Sequence, residues 1–332
     1  MSSLRAPHRE PGSPLEPSVF AHVPFDDHRL LDSGRGEKLE RFGPVRVRRP
    51  DPQALWSRRL PDEEWLGADL TFVRESDRGG RWEARPGAHE LARKSPLEWN
   101  VSVGGSRFVV RPTPFKHLGI FAEQAANWDL VARSAQRFGV ERPRLLNLFG
   151  YTGVASVIAA RAGYDVTHVD ASRASLAWTR DNMRASGLAD DRVRVVLDDA
   201  LAFAARESRR SARYHVVLLD PPHYGRGPKG QKWQFEDHVA ELVAIVKSLL
   251  DERAIAVLST YAIGCSPLTL RNLLGDLGPG EIECGELALP ESEESLASGG
   301  TRVSRDPLLL PAGFCARWSR GPLDEARDSS GA

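Results

Sequence analysis

The chain has 332 residues, and its 45 Lys and Arg side chains are balanced by 45 Asp and Glu side chains. This length allows about two domains, and a neutral chain does not fit a protein that binds nucleic acid through overall positive charge alone. Its three cysteines (Cys265, Cys284 and Cys315) form no CxxC pair, so neither a disulfide framework nor a metal site is expected. No apolar stretch approaches the ~18 residues of a membrane span. We therefore predict a cytoplasmic protein without a membrane segment or a metal.

The N-terminal third of the chain is punctuated by Gly, Pro and Asp. Residues 1–19 carry Pro, Gly and charge without an apolar segment, which indicates a disordered tail rather than a signal peptide. Residues 20–112 contain short alternating runs, typical of small antiparallel strands, and are predicted to form a β-rich domain. Six arginines and one acid lie between Arg41 and Arg59. Such a run is usually a solvated face, and it would indicate a binding surface only if it lay beside a cleft.

A regular alternation of strands and helices follows. A helix is expected from Ala122 to Phe138, because its apolar residues share one face and Gly139 ends the pattern. Apolar strand-like runs then recur between helical patterns; they are Leu145–Phe149, Val166–Val169, Val193–Leu197, Val216–Leu219 and Ile255–Leu258. Such alternation predicts an α/β fold with a parallel sheet. The chain ends differently, with Glu281–Leu289 and Phe314–Trp318 predicted as an antiparallel pair that closes the sheet.

Ligands of open α/β sheets bind beyond the carboxyl ends of the strands, and four strand ends in this sequence carry polar or small residues. The first strand is followed by a glycine turn whose small residues, Gly150, Thr152 and Gly153, favour close approach of a ligand. The other three ends carry carboxylates: Asp170, the pair Asp198–Asp199, and Asp220. A single such carboxylate is often only a helix N-cap, but this regularity predicts a nucleotide-type cofactor site.

A dinucleotide cofactor is the alternative for a glycine turn of this kind. Gly150 and Gly153 do not match the G-x-G-x-x-G spacing of dinucleotide-binding proteins. The Asp-Pro-Pro sequence that begins at Asp220 has no role in hydride transfer, so NAD binding is disfavoured.

The stretch from about Phe115 to Leu258 resembles the class I S-adenosylmethionine-dependent methyltransferases. The resemblance rests on Asn147–Gly153, Val169–Ser172, Asp198–Ala200 and Asp220–Gly230, with a further likeness at His117–Gln124. It is closest to the bacterial 23S rRNA methyltransferases that have a small N-terminal domain. It implies a Rossmann-like sheet of seven strands, parallel with an antiparallel C-terminal strand, in a methyltransferase domain over residues 113–320. Residues 321–332 would then be a second disordered tail.

The resemblance also implies roles for individual residues. Phe149, Gly150, Tyr151, Thr152 and Gly153 would surround the methionine part of the cofactor. The ribose hydroxyls would be held by Asp170, next to Ala171, and the adenine amino group by Asp199 or, less favoured, Asp198, beside Ala200. Gln124 would close over the cofactor. Asn147 departs from the family, which often has an acidic residue at this position. A direct polar contact from Asn147 to the amino group of the cofactor is therefore less strongly expected.

The segment from Asp220 to Tyr224 is the predicted reaction site. Methyl transfer needs mainly an in-line nucleophile in the correct position. The Asp220 carboxylate and the Pro221 carbonyl suit the two hydrogens of a planar amine, while His223 or Tyr224 would stack on a base. The next nine residues form a glycine-rich loop. Its three cations and one aromatic residue suit a phosphate-bearing substrate; they are Arg226, Lys229, Lys232 and Trp233. A plain solvated loop can have the same composition.

Methylation of a base nitrogen of RNA, with ribosomal RNA as the favoured class, is therefore the expected activity. Cytosine-C5 methylation needs a nucleophilic thiolate, and the family places this cysteine directly after the fifth strand, where this chain has Ser259. Cys265 lies further on and is expected to be an ordinary apolar residue. Two competing hypotheses are a small-molecule or protein methyltransferase and a non-catalytic cofactor-binding module.

Overall fold

The computed structural model describes residues 18–21, 25, 27–76, 79–261, 264–292 and 307–321. Most of the two predicted tails lies outside these ranges, so their disorder stays a prediction. Ser18 and Val19, which the sequence placed in the N-terminal tail, belong to a strand.

The elements are numbered in chain order. The strands are β1 (Ser18–Ala21), β2 (His28–Gly34), β3 (Glu37–Phe42), β4 (Val45–Pro50), β5 (Leu70–Ser76), β6 (Gly79–Ala84), β7 (Trp99–Val103), β8 (Ser106–Val110), β9 (Arg144–Leu148), β10 (Asp165–Asp170), β11 (Val193–Leu197), β12 (Tyr214–Leu219), β13 (Tyr224–Arg226), β14 (Lys232–Gln234), β15 (Leu250–Thr260), β16 (Glu281–Pro290) and β17 (Leu309–Arg320). The α-helices are α1 (Asp62–Leu66), α2 (Ala125–Ser134), α3 (Val154–Arg161), α4 (Arg173–Ala185), α5 (Ala200–Arg209), α6 (Phe235–Leu249) and α7 (Pro267–Gly275). Short 3₁₀ helices cover Glu90–Arg93, Ala122–Gln124 and Ala135–Phe138.

Eight strands of the described chain form one sheet in the order β1-β16-β17-β15-β12-β9-β10-β11. Neighbouring strands run parallel except that β17 is antiparallel to both β15 and β16. The predicted α/β sheet with its antiparallel C-terminal strand is thus confirmed. Strand β1 is an addition to the seven predicted strands, and it pairs parallel with β16. It lies so close that a Cβ on Gly285 would meet the Ser18 carbonyl oxygen at 1.7 Å.

Apolar residues of the central strands divide between the two faces of the sheet. In β12, Val216 and Leu218 join one hydrophobic cluster with Trp128 of α2, whereas Val217 and Leu219 join a second with residues of α5 and α6. Strands covered by helices on both faces need apolar residues at every position, which explains the continuous apolar runs in the sequence.

The N-terminal region is β-rich, as predicted. Strands β2 to β6 form a five-stranded sheet in sequence order, and β7 and β8 form a separate hairpin. Side chains from this region, such as Phe42 and Trp99, belong to the same hydrophobic cluster as Trp128 and Leu145. The N-terminal sheet and the large sheet are therefore packed on one another rather than joined by a bare linker.

The arginine run between Arg41 and Arg59 is largely neutralised within the fold. Arg48 and Arg58 both pair with Glu37, Arg46 pairs with Glu64, and Arg59 pairs with Glu291. These contacts compensate the charges locally, so the run does not present a continuous cationic surface.

Arg49 of the same run lies in a buried charged cluster. Its Nε and Nη2 donate to the two oxygens of Glu40 at 2.6 and 3.0 Å, and His28 Nε2 lies 3.1 Å from Glu40 Oε1. Burial tends to raise the pKa of Glu40, but the charges of Arg49 and Lys38 and the hydrogen bonds outweigh it, and the pKa lies well below its ordinary value. Glu40 is therefore an ionised buried carboxylate that depends on Arg49.

Replacing Arg49 should leave the Glu40 charge buried without its partner. We expect Arg49→Met to lower the free energy of unfolding by about 3–5 kcal/mol at pH 7, measured by urea denaturation. Arg81→Ala, which removes two exposed ion pairs of the same sheet, should have a far smaller effect, because solvent screens exposed charges. Adding Glu40→Gln to Arg49→Met should recover part of the loss; no recovery would contradict this explanation.

Candidate active site

A cavity of about 800 Å³ opens at the carboxyl ends of the central strands. Its wall includes the residues that follow β9, β10, β11, β12 and β15: Phe149, Tyr151, Asp170, Ala171, Asp198, Asp199, Ala200, Asp220, Thr260 and Tyr261. Parallel strands align their carboxyl ends at one edge of a sheet, which is why residues distant in sequence meet here. The strand-end residues chosen from the sequence thus line one site.

The loop after β9 has a strained backbone. Phe149 and Tyr151 have φ angles of 59° and 52°, in the left-handed region that non-glycine residues rarely occupy. Two hydrogen bonds hold this shape: Gly150 N–H donates to the Val169 carbonyl at 3.0 Å and Tyr151 N–H donates to Asp170 Oδ2 at 2.9 Å. Strained residues of this kind persist where the surroundings fix them and are concentrated at functional sites.

The glycines of this loop are required by internal packing. A Cβ on Gly150 would lie 2.3 Å from the His168 ring, and one on Gly153 would lie 2.4 Å from Thr179 Cγ2. Thr152 is also turned inward, where its hydroxyl donates to the Gly119 carbonyl at 2.6 Å. From the sequence, these small residues were expected to admit a ligand; in the structure Gly150 and Gly153 also seat the loop on β10 and α4.

His168 of β10 supports this loop, although no sequence motif indicates it. It is fully buried, with Nδ1 2.9 Å from Ser156 Oγ and Nε2 3.2 Å from Thr179 Oγ1. Asn147 donates to the same Ser156 hydroxyl at 2.9 Å, so it belongs to this network. Burial lowers the pKa of His168 to about 4, and the ring is therefore neutral at physiological pH.

The carboxylate of Asp170 faces the cavity from a fixed position. Ser172 N–H donates to Oδ1 at 2.8 Å while Tyr151 N–H donates to Oδ2. Burial raises the pKa of Asp170, and these backbone hydrogen bonds offset part of the effect. Each carboxylate oxygen keeps further acceptor capacity, so the group can accept hydroxyl hydrogens from a ligand.

Asp198 and Asp199 differ in the partners that their carboxylates already have within the protein. Asp198 forms an ion pair with Arg206 and accepts the Asp199 N–H. Asp199 is the N-cap of α5, with Oδ1 accepting the Ala202 N–H at 2.9 Å. Because the Asp198 carboxylate is held by Arg206, Asp199 is the better placed of the two to receive a ligand hydrogen bond.

Asp220 lines the cavity and is hydrogen-bonded to two residues. Its Oδ1 accepts a hydrogen bond from Ser259 Oγ at 2.8 Å, and Gln124 Nε2 lies 3.4 Å from Oδ2. Gln124 Nε2 also donates to Ser259 at 2.9 Å. Burial raises the pKa of Asp220 to about 7, opposed by the Ser259 hydrogen bond and reinforced by the charge of Glu123. Ser259 and Glu123 are site residues that were not predicted from the sequence.

The residues after Asp220 separate into two groups. Pro221 is buried and Pro222 lines the cavity, whereas the His223 ring turns toward α6, with Nε2 3.0 Å from Glu236 Oε1. Tyr224 is exposed at the beginning of β13. The structure therefore leaves Tyr224, rather than His223, available for stacking in this conformation.

The glycine-rich loop is a hairpin of β13 and β14. Trp233 is 3% exposed, its indole N–H donates to the Pro222 carbonyl at 2.7 Å, and its ring packs on Phe149. This tryptophan holds the Pro-Pro turn against the loop after β9, so it is not the surface stacking residue expected from the sequence. Arg226 lines the cavity, while Lys229 and Lys232 are exposed on the hairpin.

A row of aromatic rings forms another wall of the cavity. Phe121 contacts Tyr151 at a centroid distance of 5.5 Å, and Tyr151 lies 6.3 Å from Trp178. Phe121 also packs on His117, whose pKa is lowered to about 3, first by burial and then by the charges of Arg49 and neighbouring lysines. Tyr151 was identified from the sequence as part of the loop after β9, whereas Phe121 and Trp178 were not, because they come from separate elements without a shared motif.

The described residues contain no group of three or more His, Cys, Asp or Glu side chains arranged to hold a metal ion. Within the same ranges, every helix is too short or too polar to span a bilayer.

The fold and site define an α/β protein with a cavity at the carboxyl edge of its sheet. A family model described as S-adenosylmethionine-dependent methyltransferase matches residues 80–264, which is more than half of the chain. The crystal structure of an S-adenosylmethionine-dependent methyltransferase from Agrobacterium tumefaciens is 35% identical, with a TM-score of 0.82, and the match covers 92% of this chain and 94% of that one. The chain belongs to the S-adenosylmethionine-dependent methyltransferase family, and S-adenosylmethionine is its methyl donor.

Two further similarities are more limited. A methyltransferase structure complexed with S-adenosylhomocysteine has a TM-score of 0.62 over 88% of this chain and 75% of that one, and its 15% identity shows the fold alone. A ribosomal RNA large subunit methyltransferase K/L from Shewanella sp. strain MR-4 is 30% identical over 60% of this chain. This match covers 28% of that relative, so the present chain corresponds to only part of its length.

The packing of Gly150 on His168 gives a test of the cofactor loop. We expect Gly150→Ala to weaken binding of S-adenosylhomocysteine at least about tenfold, measured by calorimetry, because the new methyl group displaces the loop. Gly275→Ala is the control, since a Cβ there meets nothing within 4 Å. Equal affinity in both variants would show that the loop shape does not control cofactor binding.

The raised pKa of Asp220 gives a pH-dependent prediction. The Asp220 carboxyl has a pKa near 7 in the folded state and ~3.9 in the unfolded state. The folded protein therefore loses stability as the pH rises between these two values. We therefore expect Asp220→Asn to be more stable than the wild type at pH 8, on the order of 1–4 kcal/mol, with the difference vanishing near pH 4. Urea denaturation at pH 4, 6 and 8 measures it, with the exposed Asp165→Asn as control. A gain that does not change with pH would contradict the assignment.

Proposed function

We propose that this methyltransferase acts on a base nitrogen of RNA, most simply ribosomal RNA, in the cytoplasm. The observation that carries the proposal is that the Asp220 turn and Arg226 of the cationic hairpin line the same cavity. Carboxylate and carbonyl oxygens accept amine hydrogens, and cations contact phosphates. The relatives named ribosomal RNA large subunit methyltransferase K/L support this substrate class.

The same cavity supports a proposal for the cofactor site. Asp170 would accept hydrogen bonds from the ribose hydroxyls and Asp199 would accept one from the adenine amino group, since both line the cavity. The loop from Phe149 to Gly153 would surround the methionine part. A smaller pocket beneath this loop, lined by Gln124 and Asp220 among others, continues toward the reaction site. Bound S-adenosylmethionine supplies an electrophilic methyl group, and the protein residues orient the acceptor toward it.

Asp220 and Pro221 position the acceptor nitrogen. With a pKa of about 7, the Asp220 carboxyl is ionised in a substantial fraction of molecules at neutral pH and can then accept an amine hydrogen. Ser259 and Gln124 hold its two oxygens, so the carboxylate does not need to reorganise as the nitrogen attacks. Direct in-line transfer therefore requires no covalent enzyme intermediate.

The cysteines do not support the cytosine-C5 alternative. Burial raises the pKa of the Cys265 thiol, and it raises that of Cys315 to about 11. A thiol must be ionised to attack a base, so neither group is activated in this environment.

Transfer of label from S-adenosylmethionine to undermodified ribosomal RNA tests the proposal. Wild-type protein should label RNA, with the methyl group on a base nitrogen by mass spectrometry, and Asp220→Asn should reduce the rate at least about 100-fold because it removes the ionised acceptor. Labelling of a small molecule or protein, with none in RNA, would overturn the RNA substrate.

The hairpin cations can be tested separately. We expect the triple change Arg226→Ala, Lys229→Ala and Lys232→Ala to raise KM for RNA about tenfold at low salt and to reduce its salt dependence, because phosphate contacts release counterions. The matched control removes three cations from the opposite, amino-end side of the sheet: Arg209→Ala, Arg213→Ala and Lys247→Ala. An equal effect of both triple changes would show that only net charge matters.

A further inference from the structure

Exposed aromatic side chains are concentrated around the cavity. In the described part of the chain, the exposed Phe, Tyr and Trp side chains are Phe115, Tyr224 and Tyr261, at 63%, 52% and 64% exposure. Phe115 and Tyr261 line the cavity, and Tyr224 directly precedes Gly225 and Arg226, which also line it. Exposed rings at a single mouth mark a binding surface rather than scattered surface residues.

Phe115 is held in place by a tight turn over residues 113–117. Thr113 N–H donates to the His117 carbonyl at 2.9 Å, which closes the turn. Lys116, next to Phe115, has a φ angle of 65°, a strained conformation for a side chain of this kind. The turn is therefore a fixed feature that exposes an apolar ring, although burial of that ring would be favourable.

The N-terminal sheet supplies the contacts that fix this turn. Trp82 Nε1 donates to the Thr113 carbonyl at 2.8 Å, and Gly80 N–H donates to the Pro114 carbonyl at 2.9 Å. On the other side, Lys116 Nζ donates to the Pro50 carbonyl at 3.1 Å, and Arg49 Nη1 donates to the Lys116 carbonyl at 3.2 Å. Strands β4 and β6 thus hold the turn at the cavity mouth.

The cavity is large enough for more than the cofactor. Its volume of about 800 Å³ lies toward the upper end of the ~300–1,000 Å³ found for small-ligand sites. Phe121, Tyr151 and Trp178 line the part beside Asp170, whereas Phe115 and Tyr261 belong to the exposed rim. Tyr261 and Asp220 both line the cavity and follow the neighbouring strands β15 and β12. One rim ring therefore belongs to the same cavity wall as the Asp220 carboxylate.

We propose that Phe115 and Tyr261 are the stacking surface for an unstacked base of single-stranded RNA, and that the N-terminal sheet positions Phe115 for this contact. The inference rests on the proposed RNA substrate and adds the form in which RNA is recognised. Aromatic rings stack on any base, and single-stranded nucleic acid is bound by such rings beside a cationic groove. The cations on the hairpin from Tyr224 to Gln234 supply the neighbouring charge.

Steady-state methyl transfer to RNA tests the stacking surface. We expect Phe115→Ala and Tyr261→Ala each to lower kcat/KM for RNA about 10- to 100-fold, while Phe115→Trp stays within about threefold of the wild type, because any flat ring stacks. Leu66→Ala is the matched control, since it removes an equally exposed apolar side chain from the N-terminal region. An effect no larger than that of Leu66→Ala would overturn the inference.

Cofactor affinity separates the two parts of the cavity. Binding of S-adenosylhomocysteine to Phe115→Ala and Tyr261→Ala should stay within about twofold of the wild type. A loss of affinity equal to the loss of kcat/KM would assign these rings to the cofactor and overturn the inference. Failure of the wild type to methylate any RNA would instead overturn the proposed function, and the two failures are therefore distinguishable.

The positioning role of the N-terminal sheet has its own test. Trp82→Phe keeps an aromatic ring against Phe72 but removes the hydrogen bond to Thr113. We expect it to lower kcat/KM for RNA about three- to tenfold in the wild type and to have no further effect in Phe115→Ala, because residues acting through one contact are not additive. Additive losses would show that Trp82 does not act through Phe115.

Discussion

The hydrogen bond from the Tyr151 N–H to Asp170 Oδ2 joins the two strand ends around which the cofactor site is built. Tyr151 makes it from a left-handed backbone conformation, and the preceding Gly150 is packed on the buried ring of His168. The same carboxylate is thereby turned toward the cavity. The shape of the loop after β9, the orientation of the Asp170 carboxylate and the packing of β10 are consequently coupled. A substitution that alters one of them should alter the other two.

The Asp220 carboxylate is held by different partners. Asp170 is stabilised by backbone donors, whereas Asp220 lies in a buried position beside another acid, Glu123, and its pKa rises to about 7. An acceptor that ionises near neutral pH therefore lowers the stability of the fold. Ser259 and Gln124 fix its oxygens without supplying a compensating charge. The proposed role in holding the acceptor nitrogen is therefore a reason for an acid at this place, whereas stability is not.

The sequence predicted the elements that repeat and missed those that depend on three-dimensional packing. The apolar strand runs and the residues after them located the sheet and one wall of the cavity, because alternating strands and helices restrict the topology. Strand β1 has only four residues, of which Phe20 alone is buried, so it carries no periodic signal. Ser259, Glu123 and Phe115 come from different elements without a motif, and Trp233 was misplaced because composition does not show which way a hairpin residue points.

The neutral composition also acquires a structural explanation. Much of the positive charge in the N-terminal arginine run is matched by Glu37 and Glu40 of β3 and by Glu64 of α1, where it stabilises the fold. Overall charge is therefore a poor measure of the surface that an RNA would meet. What distinguishes the cavity mouth is a small set of cations next to exposed rings. Such a surface binds through short-range stacking and a few phosphate contacts, and it is compatible with a protein whose net charge is zero.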